Sequence, residues 1–108
     1  MGTGDLRKTP YSEAFLYYLL PQLRPGTRYI EMDPGVANAD DSGLAGELAT
    51  SDLVILSSIR DDWVEPNGSR DFGSDAPNQV LQRDFCLVHS YGTGLFGRGL
   101  YELYRRCH

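Results

Sequence analysis

The stretch "LVILS", residues 53–57, decides how this chain is read. Four apolar residues follow one another with no polar alternation. A strand of that kind is buried on both faces, and such strands belong to parallel sheets covered by helices on each side. If residues 53–57 form a parallel strand, their neighbours in sequence must supply crossover helices and further strands.

The flanking segments comply. Before the strand, Ser42 or Asp41 can cap a short helix running through Leu44, Ala45, Leu48 and Ala49. After it, Pro77 can open a helix over residues 77–84, followed by the strand "FCLVHSY", residues 85–91. Further upstream, Thr9 and Pro10 read as an N-cap and first helical position, with a helix over residues 10–20 that Pro21 and Pro25 limit. "TRYIEM", residues 27–32, follows the turn Pro25-Gly26 and reads as a strand. At the other end, "LYELYRR", residues 100–106, reads as a last strand reached through a glycine-rich reversal. Helix and strand alternate, so the expected fold is a three-layer α/β domain. Its four-stranded sheet is mostly parallel, with an antiparallel C-terminal edge strand. Residues 1–8 are expected to be a flexible N-terminus and residues 9–108 a single domain.

Composition narrows the function. The chain has 108 residues, enough for one core, and a net charge of −5. Lys8 is the only lysine, and no Lys/Arg stripe is present, so nucleic acid is not an expected partner. The longest apolar run, residues 14–20, is seven residues, far short of the roughly 20 that span a bilayer. The first helix is apolar nearly all round, with Tyr11, Ala14, Phe15, Tyr18 and Leu19 on one stripe and Leu16, Tyr17 and Leu20 on much of the rest. A helix of that kind is buried on more than one side or leaves an apolar patch for a partner.

Candidate binding residues come from the rim where parallel strands end. There the fold places Asp33 after the first strand, Arg60, Asp61, Asp62, Trp63 and Glu65 after the second, and His89 at the end of the third. The long polar loop "RDDWVEPNGSRDFGSDAPN", residues 60–78, carries the only tryptophan. Its plainer reading is a structural tether: the aspartates cap turns and pair with Arg60 and Arg70, while Trp63 plugs the loop onto the core. No catalytic residue is assigned, since no G-x-S-x-G, H-E-x-x-H or P-loop is present. "GTGLFG", residues 92–97, matches a dinucleotide fingerprint, but only eleven residues follow, too few for the required unit. No cofactor is expected. Cys86, Cys107, His89 and His108 match no metal-binding spacing, so no metal is expected either.

Several strings resemble a known group. "YSEAFLYYLLPQLRPGTRYIEMDPG", "SGLAGELATSDLVIL", W-x-EPN-x-S at residues 63–69, "GSDAPNQV" and "RDFCLVHSYG" are similar to the carboxy-terminal region of actinobacterial polytopic membrane proteins. These include glycosyltransferases of the protein-mannosyltransferase-like type. The resemblance runs from about Thr9 to Cys107. In that type the catalytic acids lie on loops between membrane helices, so no matched residue is catalytic. The resemblance implies a non-catalytic accessory or binding domain on the extracytoplasmic face, behind the last membrane helix. Its partners would be the membrane-embedded portion of the same polypeptide or another membrane protein, with carbohydrate as a further ligand. The chain begins at Met1 without any span, so it reads as an excised domain or a stand-alone relative. The alternative is a small independent α/β protein that binds a sugar phosphate or nucleotide at the strand ends.

The cysteines fit either a reduced pair or one disulfide. An extracytoplasmic location makes the Cys86–Cys107 disulfide permissible. A hairpin centred between Phe96 and Gly97 sets Cys86 opposite Cys107, whereas a centre two residues earlier sets Gln82 there, and the glycines leave the register open. Alternation puts Cys107 on one face with Tyr101, Leu103 and Arg105, the face expected to pack inward.

Overall fold

The computed structural model describes residues 2–3, 6–7, 9, 15–28, 32, 36–58, 73–92 and 101–108. In chain order the elements are β1 (Gly2–Thr3), α1 (Phe15–Leu19), α2 (Leu44–Leu48), β2 (Leu53–Ser57), α3 (Ala76–Asp84), β3 (Phe85–Tyr91) and β4 (Tyr101–Arg106). The sheet order is β1-β2-β4-β3.

The elements from residue 44 onward lie where periodicity puts them, but their pairing does not follow. β4 is antiparallel to both β2 and β3, with Ile55 opposite Leu103 and His89 opposite that same Leu103. It is therefore a central strand rather than an edge. β2 and β3 still run parallel to each other, as the intervening α3 requires, but β4 separates them. The only parallel pairing among the described residues is the two-residue contact of β1 with Ile55 and Leu56. The mostly parallel, three-layer sheet is thus corrected to a three-stranded antiparallel sheet with a short parallel extension. The physical reason is that an unbroken apolar run reports burial on two sides, and burial does not distinguish a parallel neighbour from an antiparallel one.

Helices α2 and α3 cover one face of this sheet. α2 buries Leu44 and Leu48, four apart on one side, and α3 buries Pro77, Val80 and Leu81. They meet Val54, Leu56 and Phe85, and the cluster extends to Leu6, Met32 and Ala37, with Tyr104 packed against it. The N-terminal residues expected to fray supply β1 and the buried Leu6.

Local start signals are displaced by a residue or two. Gly43, not Ser42, is the N-cap of α2, with φ 82°, which glycine adopts without strain. Ser42 Oγ nonetheless accepts the Leu44 N–H at 3.2 Å. Ser74 Oγ does the same for Ala76 N–H at 3.1 Å. Thr9 has φ 41°, so it is not the extended N-cap that the sequence suggests. α1 is five residues long, with residues 10–14 outside the described set. Of the expected strand over residues 27–32, Thr27, Arg28 and Met32 are not in a strand, and the rest lie outside the described residues.

Arg106 holds the two ends of this layer together. Its guanidinium donates to Ser51 O at 3.0 and 2.7 Å, to Leu48 O at 3.4 Å and to Ala49 O. These carbonyls sit at and just beyond the C-terminus of α2, where the helix leaves acceptors unpaired and a cation is favoured. The guanidinium carbon also lies 4.9 Å from the Phe85 ring centre.

Candidate functional site

The other face of the sheet carries an open apolar surface. Leu53 and Ile55 alternate with the buried Val54 and Leu56, so they point to the opposite side. Antiparallel pairing puts Leu103 and Tyr101 on that side, and Tyr91 lies opposite Tyr101. This side is only half covered. α1 and the turn after it stand over it, contributing Leu16, Leu20 and Leu23. Between them lies an open cavity of about 600 Å³ with Leu53, Ile55, Tyr91, Tyr101 and Leu103 as its other walls. Among the described residues no charged side chain lines it. The apolar run in β2 is continuous because one set of residues serves the core and the other serves this groove.

Apolar surface is exposed on α1 outside the groove as well. Tyr18 is 87% exposed and Leu19 62%, so α1 turns aromatic and aliphatic surface to solvent. The apolar first helix therefore leaves an uncovered side. A second cavity of about 380 Å³ adjoins, sharing Leu16, Leu23, Leu53 and Ile55 but walled by residues 24–26 and 50–52. Tyr17 lines it, and burial raises its phenol above the ordinary range, although a hydrogen bond with the Gly26 backbone pulls the other way.

The segment before α2 is pinned to that helix by Glu47. Its carboxylate accepts from Thr27 Oγ1 at 2.6 Å, Arg28 Nε at 2.6 Å and Arg28 N at 3.2 Å. Partial desolvation pushes the Glu47 carboxyl up, but these hydrogen bonds outweigh it and hold the group below the usual carboxylate range.

Of the residues expected at a strand-end rim, the structure describes only His89. Asp33, Arg60, Asp61, Asp62, Trp63 and Glu65 lie outside the described residues. His89 is inside β3 rather than at its end, exposed, with its ring 4.3 Å from that of Tyr91. β2 and β3 run parallel, so their carboxyl ends lie at one edge of the sheet, separated there by the oppositely directed β4.

Cys86 and Cys107 are joined by a disulfide with a Cα separation of 5.8 Å. The ladder places Arg105, not Cys107, opposite Cys86, and an irregularity follows between Leu87 and His89. The bridge therefore runs diagonally across the hairpin. It lies on the face of Tyr101, Leu103 and Arg105, which is the outer, half-open face and not the inward one. Both cysteines are exposed. His108 stands beside them, and the ligand atoms of all three residues lie within 4.8 Å of one another.

The lining of the groove is suited to holding apolar groups. No protein family, curated protein or solved structure matches the chain. The groove residues Leu20, Leu23, Tyr101 and Leu103 are not on the expected rim. The usable signal was the Tyr101-Leu103 alternation in the last strand together with a second apolar set in β2.

Proposed function

We propose that this chain is a non-catalytic accessory or binding domain, the extracytoplasmic C-terminal part of a glycosyltransferase-like membrane protein. It packs on the membrane-embedded portion of that protein through the groove between α1 and the outer sheet face. The observation that carries this reading is the groove itself: an apolar cleft whose walls include the exposed Leu20 and Tyr91. Exposed apolar surface of that extent marks an interaction site. The Cys86–Cys107 disulfide supports the oxidising side of a membrane. Among the described residues no helix is long and apolar enough to cross a bilayer, so the anchoring would come from the partner portion.

The sugar-phosphate or nucleotide alternative drew on a row of adjacent parallel strand ends, whereas β4 stands between β2 and β3. The test uses the native protein. An antibody against this chain should detect, in native membranes, a polypeptide several hundred residues longer that resists alkaline extraction. A photo-crosslinker at Leu20 in that polypeptide should link to its membrane portion. A soluble product of only 108 residues overturns the proposal.

A further inference from the structure

We infer that Cys86, Cys107 and His108 form a second, redox-controlled site: with the disulfide open, they bind a borderline-soft divalent metal of the zinc class. This stands apart from the groove and rests on different residues. Three potential ligand atoms, two sulfurs and an imidazole nitrogen, already lie within 4.8 Å of one another. In a tetrahedral zinc site, bond lengths of about 2.3 Å to sulfur and 2.0–2.1 Å to nitrogen set ligand atoms roughly 3.5–3.8 Å apart. Side-chain rotation alone spans the difference once the sulfurs are released from each other.

The backbone that carries these ligands is held independently of the disulfide. The N–H groups of Cys107 and His108 both donate to Asp84 O, at 2.9 and 3.2 Å. Asp84 is two residues before Cys86, and Phe85 and Cys86 are paired with Arg106 and Arg105 in the ladder. The tail therefore stays beside Cys86 when the bridge opens. All three residues are exposed, so a reductant and a metal ion both have access.

The chemistry balances simply. A phosphine, oxidised to its oxide with the oxygen of water, or a dithiol, oxidised to a disulfide, delivers two electrons; the S–S bond breaks, and the two protons of that water or dithiol give two thiols. Metal binding displaces both thiol protons. Two thiolates and one neutral imidazole around a dication make an electrically neutral group. The fourth position stays open to water. The metal then replaces the disulfide as the link between β3 and the tail. No sequence motif announces this, because Cys86 and Cys107 are 21 residues apart and meet only through the hairpin.

The experiment is a cobalt(II) titration of the chain reduced with a phosphine and desalted without oxygen, repeated on the oxidised chain. Reduced protein should take up one equivalent, with thiolate-to-cobalt charge-transfer absorption and visible bands of tetrahedral intensity. Oxidised protein should show neither. His108→Gln should weaken binding about tenfold or more, and His89→Gln should leave it unchanged. Cys107→Ser should abolish the tetrahedral spectrum. Circular dichroism melts with zinc provide a second readout: zinc should raise the Tm of the reduced chain but not of the reduced His108→Gln variant. If the reduced chain binds no cobalt and gains no stability from zinc, the site does not exist. Equal binding by the His108→Gln variant, or by the oxidised chain, overturns it too.

Discussion

The two faces of one sheet behave differently although the same strands build both. On the inner face, Val54 and Leu56 of β2 meet Leu44 and Leu48 of α2 and Val80 and Leu81 of α3, and all are buried. On the outer face, Leu53, Ile55 and Leu103 are only half-buried beneath a five-residue helix. The inner face is closed by two amphipathic helices and locked by Arg106. The outer face is open, apolar and crossed at one end by a disulfide. The difference teaches that apolar content alone does not mark the core: residues 53–56 are apolar on both faces, but only Val54 and Leu56 are buried.

Truncation measures that contrast most directly. Leu48→Ala, at a fully buried position, should cost about 2–5 kcal/mol in urea unfolding. Leu20→Ala, at the rim of the groove, should cost less than about 1 kcal/mol, since an already exposed side chain gives up little apolar burial. Equal losses at the two positions would show that the outer face is part of the core and would break the comparison.

The disulfide gives the outer face its own contribution. Reducing it without added metal should lower stability by about 3 kcal/mol, from the loop entropy of a 21-residue separation. Cys86→Ser/Cys107→Ser should reproduce that loss and make stability indifferent to reductant. A reduced chain as stable as the oxidised one contradicts the expectation.

Arg106→Met sharpens the account of the inner face. It removes the donors to Leu48, Ala49 and Ser51 carbonyls but keeps most of the side-chain volume. Charge-assisted hydrogen bonds suggest a loss of about 2–3 kcal/mol. Hydrogen exchange should quicken first in α2, where the carbonyls lose their cap.

The smallest effect is electrostatic. Glu47 is held below the ordinary carboxylate range in the folded state, so its contribution is present above its unfolded pKa. It is lost as pH falls through the lower folded value. Stability should therefore decline between the ordinary carboxylate range and lower pH, and Glu47→Gln should flatten part of that slope. The pair with Arg28 is largely exposed, so the effect should stay under about 1 kcal/mol and shrink in salt. An unchanged slope in Glu47→Gln would remove Glu47 as the source.

How far this protein could be read from its residues depends on the range of the interaction. Local signals sufficed for α2, β2, α3, β3 and β4, because a 3.6-residue or two-residue apolar period is written within each segment. The apolar excess of α1 was legible too, and Tyr18 and Leu19 are indeed left exposed. The shared face of Cys107, Tyr101 and Leu103 followed from simple alternation. Tertiary structure alone decided that β4 lies between β2 and β3, that their shared outer face becomes a groove, and that Arg106 reaches the end of α2. It alone brought His108 to the cysteines. Strand partners and ligand clusters are chosen by the packing of segments tens of residues apart, and several pairings bury similar apolar area. The sequence states what each segment must hide; only the assembled chain decides which segment hides it and which surface is left over.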